Sequence, residues 1–213
     1  MKNLIIIGAR GFGREVYQLV LSTEIYKSGE LTLKGFLDDK ADAFDGMEGN
    51  LPPILGPVET YDPLPDDRFV CALGDGNMRK HYANIVEKKG GKFISVIAPT
   101  AIVATTAIIE EGAIIGMYSI VSDHVRIGRH SIVLGFSCLG HDSCLRDYAS
   151  IESYVFLGGY SIVGELTTMH TRSTLLPRKS IGRGCTVGVG SVVMRDSQDE
   201  ERLFGNPAKK IDY

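Results

Sequence analysis

From residue 97 onward the apolar positions of this chain recur every sixth residue. Beginning at Ile97 and stepping by six gives Val103, Ile109, Ile115, Val121, Ile127, Val133, Leu139, Leu145, Ile151, Leu157, Val163, Met169, Leu175, Ile181, Val187 and Val193. All seventeen slots are aliphatic, with no insertion. Two residues before each lies a second repeating slot, mostly small: Ala101, Ala107, Ala113, Ser119, Val125, Ser131, Ser137, Ser143, Ala149 and onward to Ser191. A period of six with one large and one small inward residue describes short strands separated by sharp corners around a narrow prism. Three hexads make one triangular coil of 18 residues, so seventeen hexads give between five and six coils. At ~4.8 Å between parallel strands the prism is roughly 27 Å tall. Glycines directly after the aliphatic slots (Gly116, Gly128, Gly140, Gly158, Gly164, Gly182, Gly188) are expected to relieve strain at the bends. Lys179 breaks the small slot, which predicts a departure from the regular coil near 177–180. Such a solenoid exposes flat faces that favour stacking against copies of itself.

Residues 1–96 follow a different pattern. LIIIG (4–8) reads as a buried strand ending in a glycine loop, followed by a helix with Val16, Leu19 and Val20 on one face. LKGFLDD (33–39) is a second strand closed by paired acids, FVCALGD (69–75) a third, and KFISVI (92–97) a fourth leading into the prism. Helical pattern fills 77–89, and 40–66 is expected to be a long loop with one short strand around Ile54. Strands alternating with helices predict an α/β, Rossmann-like domain with a mainly parallel sheet. The expected organisation is therefore 1–96 as that domain, 97–198 as the repeat domain and 199–213 as a C-terminal tail.

Composition narrows the function classes. The net charge is −3 with 23% charged residues, and no basic stripe argues for nucleic acid. No apolar run approaches the ~18 residues of a membrane span. The apolar start of MKNLIIIGARG is too short for a signal peptide. Four cysteines without an export signal suggest reduced thiols and a cytoplasmic protein.

GARGFG (8–13) follows a strand and opens a helix. Its glycines fall as G-x-x-G-x-G rather than in the dinucleotide order G-x-G-x-x-G, so a nicotinamide site is weakly supported. Small residues still allow close backbone approach, and a helix N-terminus offers free N–H groups to a phosphate. Asp38 and Asp39 end the next strand, where carboxylates accept hydrogen bonds from ribose or a base. LGDGN (73–77) ends the third strand beside the same crevice. These features point to a nucleotide or nucleotide-sugar pocket built from Gly8, Gly11, Phe12, Gly13, Asp38, Asp39, Gly74 and Asn77. The alternative is a plain strand-to-helix turn with solvated acids.

SCLGHDSCL (137–145) sets His141 and Asp142 between two cysteines. In the hexad frame both fall on an outward corner. Cys138 and Cys144 belong to successive faces and point apart, which argues against a disulfide or a metal pair. Residues on one corner are multiples of 18 apart, whereas His124 and His141 are 17 apart and His124 and His130 six. A metal set could therefore assemble only across a subunit boundary. An exposed imidazole can instead act as a general base, with the adjacent carboxylate fixing its tautomer. A surface histidine without a role remains the plain alternative.

The prism resembles the left-handed β-helix of the hexapeptide acyltransferases, trimeric enzymes that use acetyl-CoA. The whole chain resembles the sialic acid O-acetyltransferase and nucleotide-sugar N-acetyltransferase family of bacterial glycan synthesis. The resemblance is carried by GARGFGREV (8–16), FLDD (36–39), ALGDGNMR (72–79), VIAPTA (96–101), GHDSCLRDY (140–148), VGVGSVV (187–193) and FGNPAKKI (204–211). It implies His141 as catalytic base with Asp142 as its partner, and a nucleotide-sugar substrate in the N-terminal crevice. It implies acetyl-CoA as co-substrate near Gly158, Gly188, Pro207 and Lys209, no metal, and a homotrimer with active sites between subunits. Leu134 and Ser150 stand where many relatives carry asparagine and histidine, and Phe12 where a histidine is common. These departures bear on acceptor identity and acyl fit rather than on the base. N-acetylation of a nucleotide-linked amino sugar is the first expectation and O-acetylation of sialic acid or a related sugar the second. A metal enzyme like the gamma-class carbonic anhydrases and a non-catalytic assembly module are the remaining readings.

Overall fold

The computed structural model describes residues 1–46 and 49–211. The chain divides into two compact units, Met1–Val96 and the remainder from Ile97. In the first, β1 (Lys2–Ile7), α1 (Gly11–Ser22), α2 (Glu24–Lys27), β2 (Leu31–Leu37), β3 (Asp67–Cys71), α3 (Gly76–Lys88) and β4 (Lys92–Phe93) follow in order. The sheet runs β2-β1-β3-β4 and is parallel throughout. Leu4–Ile7 of central β1 are at most 1% exposed, because helices cover both faces of such a sheet and leave no polar side to alternate. Val16 and Val20 are the buried stripe of α1, and Leu19 is half-buried. The strand expected over 92–97 is interrupted: only Lys92–Phe93 joins this sheet, and Val96–Ile97 is a separate strand. Segment 40–66 contains a short 3-10 turn (Val58–Thr60), and Ile54 bridges Phe36. Strand order reverses between β1 and β3, which opens a crevice at their C-terminal ends.

The second unit is a left-handed parallel β-helix of two-residue strands. Each strand pairs in parallel with the one 18 residues on, as Ile132–Val133 does with Ser150–Ile151 and Cys138–Leu139 with Phe156–Leu157. Aliphatic slots from Ile115 to Val193 are 0–2% exposed and form one continuous core. Burying each such side chain contributes about 1.5–3 kcal/mol. The small slots have a second task where they are serine or threonine. Ser131 Oγ donates to the Arg146 carbonyl at 2.8 Å and Ser137 Oγ to that of Glu152 at 2.8 Å, tying each corner to the next coil.

Three expectations are corrected here. The glycines after the aliphatic slots do not supply the left-handed backbone of the corners. That conformation falls two residues later, on non-glycine residues at every hexad from Tyr118 to Arg178, with φ of 54–63°. The glycines are needed instead for coil-to-coil approach: a Cβ on Gly140 would lie 2.8 Å from the Gly159 nitrogen. Lys179 does not disturb the coil either, since its carbonyl accepts the Ile162 N–H at 2.9 Å like its counterparts elsewhere. The segment expected as a tail is part of the fold. Arg202–Phe204 pairs in parallel with Thr186–Val187, and Lys209–Lys210 turns back antiparallel onto it. Leu203, 7% exposed, joins the core above Val187 and covers an otherwise open edge.

Candidate functional site

Two places in the molecule concentrate chemistry. The first is the crevice of the α/β unit, a cavity of ≈ 390 Å³. Gly8, Phe12, Gly13, Asp38, Asp39 and Gly74 all line it. Gly11 and Asn77 do not: both are exposed outside the lining, because α1 and α3 turn those positions away. Asp75, within the expected LGDGN segment, also lines it, and Arg10, Met78 and Tyr82 join the wall without having been singled out from sequence.

The glycines differ in purpose. Gly8 has φ 97°, and Gly13 packs so closely that a Cβ would collide with the Gly8 carbonyl. Both therefore serve the strand-to-helix junction. Asp38 is also committed to the loop: its Oδ2 accepts the Ala9 N–H at 2.9 Å and its Oδ1 the Lys40 N–H at 3.0 Å. Asp39 bears on Tyr82, whose phenol is raised above its ordinary value by burial first and by the Asp39 charge next. On the opposite wall Asp75 caps α3 by accepting the Met78 N–H at 2.9 Å. Arg79 is fully buried and donates to the carbonyls of Leu73 and Gly74, both at 2.8 Å, fixing the loop after β3. Its sequence signal was its place in ALGDGNMR, one turn into a helix.

The second place is the corner that follows strand Cys138–Leu139. His141 Nδ1 lies 2.9 Å from Asp142 Oδ2, and the side chains are 60% and 39% exposed. Asp142 takes the left-handed corner conformation, φ 58°, which sets its carboxylate beside the ring. With Nδ1 engaged, Nε2 is the free edge. It lies over Gly159 one coil on, where a Cβ would come within 2.7 Å of Nε2. Tyr160 meets the imidazole edge-on, ring centroids 5.2 Å apart at 89°. One coil earlier, Asp123 Oδ2 lies 2.8 Å from His124 Nδ1 and its other oxygen accepts the Thr106 hydroxyl. The Thr106 and His124 hydrogen bonds hold the Asp123 carboxyl below its ordinary value, and Asp123 raises His124. Among the described residues no group of three or more His, Cys, Asp or Glu side chains is placed to hold a metal ion. Cys138 and Cys144 are free and lie in different sheets.

The four residues expected to serve the co-substrate do not share one corner. Gly158 adjoins the His141 corner, packed against Pro177. Gly188 belongs to the corner after Thr186–Val187 and packs against the Phe204 ring. Segment 205–208 lies over strand Val192–Val193, with the Ala208 N–H donating to the Val192 carbonyl at 2.8 Å; Pro207 and Lys209 flank that contact and both are exposed. The sheet containing Cys138–Leu139 has an apolar outer face: Ile102, Ile120 and Phe156 are 66%, 41% and 44% exposed. Along one edge of it Tyr118, Phe136 and Tyr154 stack at 5.2 and 5.0 Å.

A parallel α/β domain followed by a hexapeptide prism is a fold that this chain shares with solved sugar acetyltransferases. This chain is similar to proteins of that kind. Residues 3–86 match the family model described as the PglD N-terminal domain. A UDP-N-acetylbacillosamine N-acetyltransferase of Bacillus subtilis (strain 168) is 32% identical over 104 residues, 48% of this chain and 46% of that protein. The match thus spans about half the length of the curated relative. Among solved structures, the acetyltransferase domain of PglB from Neisseria gonorrhoeae is 26% identical with a TM-score of 0.86, covering 99% of this chain and 100% of that one. PerB from Caulobacter crescentus, solved with CoA and GDP-perosamine, shares the fold at 22% identity and a TM-score of 0.87, covering 100% and 98%.

Proposed function

We propose that this protein transfers an acetyl group from acetyl-CoA to the amine of a nucleotide-linked amino sugar, with His141 as general base. The observation that carries the proposal is the imidazole held at Nδ1 by Asp142, with Nε2 facing outward over Gly159. The acceptor amine attacks the thioester carbonyl while Nε2 takes its proton. The C–N bond forms, the C–S bond breaks and CoA leaves as the thiolate. Asp142 fixes the tautomer and stabilises the imidazolium. At the corner position Gly159 occupies, Arg129, Thr171 and Arg183 direct their backbone N–H outward to carboxylates at 2.8–3.0 Å. The same backbone geometry at Gly159 offers an N–H to the oxyanion. No acyl-enzyme is required, because the thioester is already activated.

The nucleotide of the sugar is assigned to the α/β crevice, with Asp39, Tyr82 and Asp75 facing the base and ribose and Arg10 facing phosphate. The names of the relatives support this assignment, since two concern nucleotide-linked amino sugars. The apolar outer face of the Phe156 sheet suits a homotrimer, which would seat each His141 corner against a neighbouring prism. O-acetylation of a sugar hydroxyl is the second reading, and the same base would serve it.

The test is thiol release from acetyl-CoA with a UDP-linked 4-amino sugar, compared with free sialic acid. Turnover of the amino sugar that disappears in His141→Ala is the expected result. Wild-type turnover in His141→Ala would remove the base, and release with sialic acid alone would establish the O-acetyl reading.

A further inference from the structure

The sheet containing Cys138–Leu139 is bounded by two corners of different character. The corner after it carries His141 and Asp142, and the corner before it carries Tyr118, Phe136 and Tyr154. Between them the outward row, Ile102, Ile120, Cys138, Phe156, Thr174 and Val192, holds no charge. The three rings are 50–55% exposed. Phe136 and Tyr154 stack at 5.0 Å and 6°, and the Arg172 guanidinium lies 5.6 Å from the Tyr154 centroid. The ring faces are thus covered by one another and by Arg172. What the column presents outward is its edges, a stiff aromatic ridge.

A ring of identical subunits closes by joining two different patches of the surface, one from each neighbour. The two corners that bound the apolar face are such a pair. Burying that face around a three-fold axis brings the aromatic ridge of one copy to the His141 corner of the next. Rotation about an axis parallel to the prism leaves height unchanged, and height follows residue number at ~4.8 Å per coil. His141 Nε2 lies over Gly159, so the ridge residue facing it is the one numbered between 141 and 159. That residue is Tyr154, and Phe136 lies about 1 Å below the level of His141.

We propose that Tyr154 of one copy closes the site over His141 of its neighbour and packs there against the acceptor sugar, a specificity-determining residue supplied in trans. The inference rests on the acetyl-transfer reading and its homotrimer, and adds which part of the neighbouring prism completes the site. The His141 side chain is 60% exposed, too open by itself to exclude water from the thioester, and the ridge supplies the missing wall. Stacking holds the column rigid before substrate arrives. A sugar that fits beneath the Tyr154 edge is therefore positioned at little entropic cost, and one with a bulkier group on that side is rejected.

The experiment is intersubunit complementation. Tyr154→Asn places at the corner a residue type that tolerates the left-handed backbone. It should sediment as wild type and raise KM for the UDP-linked amino sugar about tenfold, with KM for acetyl-CoA unchanged. His141→Ala should be inactive. In oligomers co-expressed from equal amounts of the two, about one site in four pairs a native His141 with a native Tyr154 from the other chain. Their kcat/KM should reach about a quarter of wild type, against about a twentieth for the same chains mixed without exchange. Tyr154→Leu, an apolar residue in a corner conformation that Leu166 already adopts, replaces the asparagine variant if that one fails to assemble. Three results would each overturn the inference and leave the acetyl-transfer reading standing: no gain in the mixed oligomers, a wild-type KM in both Tyr154 variants, or a wild-type monomer that turns over the sugar. No turnover by wild type with any acceptor would overturn both.

Discussion

His141 and Gly159 are one coil apart, and the imidazole Nε2 occupies the space above the glycine where a Cβ would come within 2.7 Å. The imidazole therefore has its outward pose only because the residue beneath it has no side chain. Gly159 has no left-handed φ, so alanine there is conformationally allowed. We expect Gly159→Ala to leave the melting temperature within a few degrees of wild type while lowering kcat roughly 10–100-fold through displacement of the ring. Steady-state kinetics beside a thermal melt measures both, and unchanged kcat would separate the imidazole pose from catalysis.

Asp142 lies at φ 58°, a conformation asparagine also tolerates. Asp142→Asn should therefore fold normally but lose the charge that stabilises the imidazolium. Its kcat/KM should fall about 10²–10⁴-fold, the scale seen when a triad carboxylate is neutralised. Normal kinetics would show that the carboxylate only occupies a corner.

The Phe156 side chain is 44% exposed on an apolar face between the stacked aromatics and the His141 corner. A glutamate there would place a charge in the proposed interface, where a buried unpaired charge is costly. Phe156→Glu should sediment as a monomer and lose activity with assembly. A variant that remains trimeric would move the interface to another face.

Lys34, Tyr61 and Asp67 form a hydrogen-bonded cluster in the α/β unit whose ionisation should couple its stability to pH. Asp67 is 1% exposed; its Oδ1 accepts from Lys34 Nζ at 2.9 Å and its Oδ2 from the Tyr61 hydroxyl at 2.7 Å. Burial pushes the Asp67 carboxyl up, but hydrogen bonds from Leu64, Tyr61 and Lys34 outweigh it and hold it below its ordinary value. Its stabilisation is present above the unfolded carboxyl value and disappears as pH falls through the lower folded one. Burial lowers Lys34, but its bonds to Tyr61 and Asp67 leave it raised, so its contribution disappears only as pH rises through that raised value. Denaturant midpoints should fall below about pH 4 and again above about pH 10. In Asp67→Asn the acid loss should shrink, and stability at pH 7 should drop by about 2–3 kcal/mol.

Burial pushes the Cys71 thiol up to about 12, against the smaller influence of Arg79. It should resist a disulfide-exchange reagent at pH 8 until the protein unfolds. Cys138 and Cys144 are half-buried and should react first. A Cys71 that titrates as fast as either would show that the β3 core opens on that timescale.

The hexads were legible because each coil repeats one steric problem: a large slot, a small slot and a corner, with no long-range choice to make. The corner position of His141 followed from that frame, and so did the separation of Cys138 from Cys144. The frame did not reveal which residue carries the left-handed backbone. That depends on the path of the chain around the corner, and it falls on Asp142 and Tyr160 rather than on the neighbouring glycines. Periodicity also ended at Val193, and Arg202–Phe204 pairs with Thr186–Val187 at a spacing of 16 rather than 18 residues, so the return of 202–210 onto the prism fell outside the hexad frame.

In the crevice, the sequence by itself determined the strand ends and the loop that face one another. Tertiary structure decided which side chains remain available to a ligand. Asp38 is consumed by the Ala9 and Lys40 N–H groups, Arg79 of α3 is buried and spent on the carbonyls of the loop after β3, and Gly11 and Asn77 face outward. Neighbouring residues in a chain reveal the strand, helix or corner they occupy. Hydrogen-bond partners and close approaches such as Gly159 beneath His141 arise between residues brought together only when the coils stack.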